Sequence, residues 1–424
     1  MLILLGTLFV LLAIGMPVAF SIVIGTLAYI LFVGENFPIV VLAQRMVTGT
    51  DSYVLLSIPL FMFAGELLNT GGLTKRLVTF SQSIIGSIRG GLSYVVIIVN
   101  MIMAGVSGAA IADAAAVGSV MIPSMVKSGY SKNFACAVNA SAATMGPVIP
   151  PSVSFIVYGT LANVSIGKLF LAGAVPGVLM GIYMMAVCYI VAVRKNLPRG
   201  EKTSIKRFIT STKEASFALM MPVIILGGIM TGIVTPTEAA VIAVAYGLMI
   251  GLFVYKEIKW SNIPYMLAKA AKESAVIMFI IACAQAFGWV LAREGVPAML
   301  VEIFSSISSQ SWVFLIIINI VVLILGCFME GTSILIILTP LLIPVLQNYG
   351  IDLLQFGVVI TLNIMIGLLT PPVGLLLYVI TGIGNVSMKD VVKDLFPFLV
   401  ALFLVLAMIT YIPQITLFLP SIFS

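Results

Sequence analysis

Two stretches, MGPVIPPS at 145–152 and GLLTPPVG at 367–374, most constrain what this chain can fold into. Each sets a glycine and a Pro-Pro pair inside a run otherwise apolar enough to cross a bilayer. Proline lacks a backbone donor, clashes with the carbonyl four residues back and pushes the preceding residue out of helical geometry. Two in succession therefore leave several carbonyls without helical partners. In hydrocarbon such backbone is tolerated only where it is buried in protein or lines a polar cavity. Interrupted helices at matching positions in two halves of a chain point to the binding site of a secondary transporter.

The surrounding composition fits that environment. Of 424 residues, 61% are hydrophobic and 8% charged, against about a quarter charged in ordinary soluble domains. Many runs reach the roughly 20 apolar residues that a spanning helix needs, which defines an all-α polytopic membrane protein. The first apolar run, 2–33, is too long for a cleavable signal peptide and lacks a small-residue cleavage site. Histidine is absent, which excludes imidazole proton relays and His-based metal sites. Cys136, Cys188, Cys283 and Cys327 lie scattered in apolar segments without CxxC spacing and read as buried free thiols. Gly167-Lys168 lacks the flanking residues of a phosphate-binding loop, and no nucleophile–base pair stands out. No cofactor is indicated, and transport driven by an ion gradient outranks catalysis.

In chain order, 2–33 reads as the first span, 34–52 as an outside loop and 53–68 as the return. Segment 73–88 is too polar to span, yet Leu73, Leu77, Phe80, Ile84 and Ile88 recur at helical spacing, as in a helix lying in the interface plane. Segment 92–128 is long and apolar around a small, polar centre, GVSGAAIAD, and reads as a re-entrant hairpin with its tip at 107–113. The first broken helix comprises 133–145, the break, and 155–162. A helix at 169–193 then leads to a basic connector at 194–214. The second half repeats this order. Spans at 217–234, 239–255 and 274–291 precede an amphipathic piece at 296–307 and a hairpin at 312–347 interrupted by GCFMEGTS. The second broken helix is 353–368 plus 375–383, and 395–419 closes the chain.

An offset of 221 maps Gly105, Pro123, Gly146, Pro150, Pro151 and Pro176 onto Gly326, Pro344, Gly367, Pro371, Pro372 and Pro397. This divides the chain into a first half (1–193: scaffold and arm 1–91, hairpin and broken helix 92–166, return helix 167–193), a linker (194–214) and a second half. The second half, 215–424, comprises scaffold and arm 215–309, hairpin and broken helix 310–384, and a last helix 385–424. If 72–89, 127–132, 194–214, 256–272 and 389–394 are cytoplasmic, they hold 18 of the 21 Lys and Arg, leaving Arg45, Lys168 and Arg293 opposite. That is the positive-inside asymmetry, so the formal net charge of +6 reports orientation rather than nucleic-acid binding. The N-terminus is then cytoplasmic, the C-terminus periplasmic, and the two hairpins enter from opposite sides as an inverted repeat.

Unwound carbonyls and half-helix C-termini suit cations, whereas half-helix N-termini suit anionic groups. Ser107 and Gly108 at the first tip face Thr144, Gly146 and Val148, and Gly326 and Gly331 face Gly367, Thr370 and Pro372. Each set offers carbonyls and a hydroxyl to Na+; small residues that allow close helix packing are the competing reading. Asn139, Ser152, Ser154, Thr332, Ser333 and Asn363, with Thr144, offer hydrogen bonds to a polar substrate. Intramembrane acids are costly and need partners. Glu66 and Glu238 lie near span ends, while Asp113 and Glu330 lie at the hairpin tips. The latter two order the tips, cap short helices or assist coupling. No intramembrane Arg or Lys stands out as an anion clamp.

These motifs, VSGAAIADAAAVGS with ATMGPVIPPS and FMEGTS with GLLTPPVG, resemble the large membrane subunit of tripartite ATP-independent periplasmic (TRAP) transporters. The resemblance spans essentially the whole chain. It implies an elevator mechanism in which hairpins and broken helices move against a fixed scaffold, and Na+-coupled import of an organic acid, a C4-dicarboxylate or a sialic acid, at the bacterial inner membrane. It also implies a periplasmic substrate-binding protein and a small four-helix membrane subunit. By the same resemblance, Na+ positions carry over to Ser107, Gly108, Gly146 and Val148, and to Gly326, Thr370 and Pro372. Two alternatives stay open: a self-sufficient Na+- or H+-coupled anion symporter or antiporter, and a passive channel.

Overall fold

The structure, a computed structural model, describes residues 2–33, 38–200 and 204–423. Among these, the chain is helical throughout, apart from one isolated bridge between Arg89 and Arg199. Among the described residues, nine helices are long and apolar enough to cross a membrane.

The repeat is visible in element boundaries. The first hairpin pairs α6 (Gly91–Ser107) with α7 (Ala110–Lys127), and the second pairs α15 (Ser311–Phe328) with α16 (Gly331–Asn348). Each is preceded by an amphipathic helix, α5 (Leu73–Ile85) or α14 (Val296–Ile307). Each is followed by a broken helix: α8 (Lys132–Ala143) with α9 (Val153–Ala162), and α17 (Leu353–Leu368) with α18 (Leu375–Gly384). Long helices then close each unit, α10 (Ile166–Arg194) and α19 (Met388–Tyr411). Pro150–Pro151 and Pro371–Pro372 are both cis. Local chemistry sets the same ends twice. Ser131 and Asp352 cap α8 and α17 by accepting backbone N–H bonds, and left-handed Asn163 and Asn385 stop α9 and α18.

The two halves interlock through the pieces that follow each break. Helix α18 packs on α7 and α8: Cys136 Sγ lies 3.9 Å from the Ile380 carbonyl, and a Cβ on Gly118 would touch Ile380. Reciprocally, α9 packs on α16 and α17, where the Tyr158 hydroxyl donates to the Leu353 carbonyl at 2.7 Å. Within the second half, α15 and α17 come closest at a glycine pair: a Cβ on Gly367 would fall 2.6 Å from Gly326 Cα.

The basic segments are stitched together at one end of the bundle. Arg76 pairs with Glu257 at 3.4 Å and covers the Tyr255 ring at 3.9 Å. Gly90 N–H bonds the Pro198 carbonyl, Pro198 lies beside Gly129, and Lys195 pairs with Asp394 at 2.6 Å. Arg45 and Arg293, by contrast, share the Trp289 ring, at 5.6 and 5.7 Å.

Several expectations need correction. The span expected at 2–33 is two helices, α1 (Leu2–Ala13) and α2 (Val18–Phe32), parted at left-handed Gly15 and Pro17. They fold back on each other, with Leu4 and Leu8 against Gly25. The expected outside loop contains α3 (Ile39–Thr50), which carries Arg45; residues 34–37 lie outside the described residues. The linker 194–214 is helical from Ile205, where Ser204 caps α11 (Ile205–Met230); residues 201–203 lie outside the described residues. The next helix, α12 (Pro236–Met249), starts at a Thr235–Glu238 capping box. Segments 263–272 and 389–394 belong to α13 (Ile263–Arg293) and α19 rather than to loops. The closing helix breaks at Ile412, and α20 (Pro413–Ile422) follows.

Gly367→Ala drives a methyl into the Gly326 backbone and is expected to destabilise by about 1–3 kcal/mol, the usual range for overpacking. Gly382→Ala on α18 meets nothing within 4 Å and is expected to leave stability level. Melting temperatures of the detergent-solubilised variants check the pair.

Candidate functional site

The first hairpin turns at only two residues, Gly108 and Ala109, with Gly108 left-handed at φ 62°. Ser107 is therefore the last residue of α6, and Asp113, expected at the tip 107–113, stands in the first turn of α7, one turn beyond the actual turn at Gly108 and Ala109. The turn rests on the first break: a Cβ on Gly108 would meet the Pro151 carbonyl at 2.6 Å, so only glycine fits there. Opposite, a Cβ on Gly146 would lie 3.0 Å from Asp113 Oδ2 and 3.2 Å from the Ala110 nitrogen. Tip and break are in van der Waals contact.

Asp113 is fully buried. The Ser107 hydroxyl donates to its Oδ1, while Oδ2 has no hydrogen-bond partner. An unpartnered carboxylate oxygen in a dry interior is costly. The N-terminal end of α7 offsets part of that cost through its positive dipole. Around the same point, α8 ends at Ala143, directing its terminal carbonyls toward the break, and Val148 is buried. The donor set near Gly146 is thus carboxylate and carbonyl oxygen with a hydroxyl, the hard-oxygen chemistry that suits Na+.

The second tip is built differently. Glu330 is the N-cap of α16; its carboxylate accepts from Thr332 N at 2.9 Å and Ser333 N at 3.0 Å, and from both hydroxyls. Glu330, Thr332 and Ser333 therefore form one capping unit. Gly374 N–H donates to the Cys327 carbonyl at 3.3 Å, joining the second break to the second tip. Thr370 Oγ donates to the Ile366 carbonyl at 2.8 Å, and its oxygen keeps lone pairs. Gly331 faces the side chains of Ile364 and Met365. Residues 371–373, including Pro372, are exposed, whereas the first break is buried except for partly buried Ile149.

The hydroxyls and amides proposed for substrate are largely engaged inside the protein. Asn139 bonds Ala114 O at 2.8 Å and accepts from Asn100 at 3.4 Å, clasping α8 to both arms of the first hairpin. Asn363 donates to the backbone and side chain of Asn319, clasping α17 to α15. Thr144 donates to Ser141 O, and Ser152 donates to Pro147 O while capping α9. Ser154, at 8% exposure, makes no hydrogen bond among the described residues. The clasp partners Asn100 and Asn319 are absent from the sequence reading; their signal is a single amide within an otherwise apolar run. Glu238 serves the capping box of α12, and Glu66 pairs with Lys269 at 2.8 Å.

A polytopic helical permease, with two hairpin tips seated against two interrupted helices, is the class that this fold and site define. Across residues 5–415 the sequence matches the profile of the DctM component of tripartite ATP-independent periplasmic transporters, and the chain belongs to that family. It is 40% identical over 412 residues to the sialic acid TRAP transporter large permease SiaM of Vibrio cholerae, covering 96% of each chain. It is also 40% identical over 380 residues to the C4-dicarboxylate large permease DctM of Pseudomonas aeruginosa (90% and 89% covered). Identity is 38% over 414 residues with the 2,3-diketo-L-gulonate large permease YiaN of Escherichia coli (98% and 97% covered). The solved YdaH transporter of Alcanivorax borkumensis shares the fold at 13% identity and TM-score 0.64, covering 87% of this chain and 86% of that one. The chain is a TRAP large permease and not an enzyme.

Ser107→Ala removes the one hydrogen bond that Asp113 receives and is expected to destabilise by about 1–3 kcal/mol. In a double-mutant cycle with Asp113→Ala, the pair is expected to couple by more than about 0.5 kcal/mol. Additive losses in thermal melts would count against the contact.

Proposed function

We propose that this permease imports an organic acid anion by coupling it to a Na+ gradient, with the hairpins and broken helices moving as an elevator against the remaining helices. The observation that carries this reading is the seating of each tip on the break of its own half, Gly108 on Pro151 and Cys327 on Gly374. Facing carbonyls with a carboxylate or hydroxyl supply a cation cage at each position. The first cage comprises Ser107, Gly108, Gly146 and Val148 with Asp113 beside them; the second comprises Gly326, Gly367, Thr370 and Pro372. Substrate is held from the N-terminal ends of α9 and α18, where Ser154 is available and α18 lacks a side-chain cap. The relatives' printed substrates, sialic acid, a C4-dicarboxylate and 2,3-diketo-L-gulonate, share a carboxylate, which supports the organic-acid class.

The moving unit comprises 92–166 and 310–384. The scaffold comprises 1–91, 167–193, 215–309 and 385–424, joined through the linker 194–214. A substrate-binding protein and a small membrane subunit, which the family implies, complete the system; delivery from the periplasm is part of this proposal. The stitched basic segments mark the cytoplasmic end. Because α1 and α2 fold back on each other, Leu2 then lies at the same end as Phe32, on the periplasmic side. That revises the N-terminal placement expected from a single first span. The last helix, α20, starts from that same end.

Proteoliposomes holding the chain with its small subunit, supplied with binding protein and labelled organic acid, test the reading. Uphill accumulation under an inward Na+ gradient, abolished when K+ replaces Na+, is the expected result; uptake indifferent to Na+ contradicts it. Thr370→Ala is expected to raise the half-saturating Na+ concentration about tenfold, equivalent to losing about 1.4 kcal/mol of ion binding. Unchanged Na+ dependence would remove Thr370 from the cage.

A further inference from the structure

Asn139 is a fully buried amide on α8, the helix that leads to Gly146, and both of its polar atoms are engaged. Its Nδ2 donates to the Ala114 carbonyl on α7 at 2.8 Å, and its Oδ1 accepts from Asn100 Nδ2 on α6 at 3.4 Å. Ala114 follows Asp113 directly, so the first of these bonds grips α7 one residue from the acid that lies against Gly146. The junction is tight. A Cβ on Gly118 would lie 2.6 Å from Asn139 Nδ2 and 3.4 Å from Ile380 Cδ1, so α18 of the second half closes over the same point.

Neither partner depends on Asn139 for its hydrogen bonding. The Ala114 carbonyl lies inside α7, where the helical backbone supplies a donor, and Asn100 Nδ2 also donates to the Val96 carbonyl at 2.8 Å. What the amide adds is register: it fixes where α7 sits along α8, and with it the separation of Asp113 from Gly146. A cation cage is sensitive to that separation, because affinity and selectivity follow from cavity size and from how firmly the ligands are oriented. The second half lacks the device. There Asn363 bonds Asn319 on α15 and no residue of α16 among the described residues, and α16 begins at its own Glu330 cap.

We propose that Asn139 is a positioning residue for the first cation cage: by tying Ala114 on α7 to α8, it sets the gap between Asp113 and Gly146 at the width that suits Na+. The inference rests on the Na+ reading above, and it assigns part of that site's affinity and selectivity to a side chain that does not touch the ion. Asn100 holds the amide in the orientation that turns Nδ2 toward Ala114. Loosening the tie changes the gap, and so changes the preference between Na+ and the smaller Li+ as well as the affinity.

The test is equilibrium binding of radiolabelled Na+ to the full chain, with Li+ as competitor, beside thermal midpoints measured without either ion. Asn139→Leu keeps the volume of the side chain and leaves Ala114 and Asn100 their other bonds, so its midpoint is expected close to the parent's. One class of Na+ site is expected to weaken about tenfold or more, as loss of a group that orients metal ligands does, with its Na+/Li+ preference shifted about threefold or more. Gly118→Ala pushes the amide off Ala114 without removing it and is expected to weaken the same site about threefold. Tyr158→Phe loses the bond to the Leu353 carbonyl, away from the first tip, and is expected to lower the midpoint while binding Na+ as the parent does. Parent-like Na+ affinity and Na+/Li+ preference in both Asn139→Leu and Gly118→Ala overturn the inference, as do equal losses for both ions that track the midpoint across all three variants. A parent chain that binds no Na+ saturably overturns the Na+ reading itself, and this inference with it.

Discussion

Backbone that leaves a helix inside a membrane protein must find other partners, and the whole architecture answers to that demand. At 144–152 the chain is unwound and almost entirely buried, so its carbonyls meet protein rather than lipid. The first hairpin supplies one surface through Gly108 and Asp113, and Ser152 ties the far side by bonding Pro147 and capping α9. The hairpin in turn needs its own helices held at the right depth. The Asn100–Asn139 and Asn319–Asn363 clasps do this by fastening each hairpin to the helix that leads into its break. Glycine at 326 and 367 removes the last obstacle to contact in the second half.

The two halves meet this demand with unequal chemistry. In the first, the acid at the tip is buried, half satisfied and pressed against Gly146. In the second, Glu330 is exposed and fully engaged in capping α16, while the break at 371–373 is open. Both acids stand at the start of the second hairpin helix, where the dipole favours negative charge, yet at different depths within it. A duplicated backbone thus carries two distinct polar sites, and the enclosed one holds the buried, partly unpartnered acid.

Most of this plan is legible in the sequence because Pro, Gly and helical periodicity act locally. The repeat offset, both hairpins, both breaks and the helices 296–307 and 353–368 follow from those signals. What escaped is tertiary or masked by hydropathy. The GMP turn at 15–17 sits within unbroken apolar composition, so a folded-back pair looks like one long span. The polar start of α11 resembles a solvated connector, although Ser204 caps it as a helix. At the site, Asn139 and Asn363 look like substrate ligands in isolation; only packing shows that Asn100 and Asn319 already engage them. Likewise Asp113 is visible as an unusual acid, but its free oxygen is a property of the fold.

The central claim is that the two interruptions, each closed by a hairpin tip, hold the coupling cations. Equilibrium binding of radiolabelled Na+ to the purified chain tests it most directly, comparing the parent with Pro150→Ala/Pro151→Ala and with Pro371→Ala/Pro372→Ala. The account predicts that straightening either break lowers the number of ions bound while the other site persists. Unchanged stoichiometry in both variants, with the protein still folded, would contradict it.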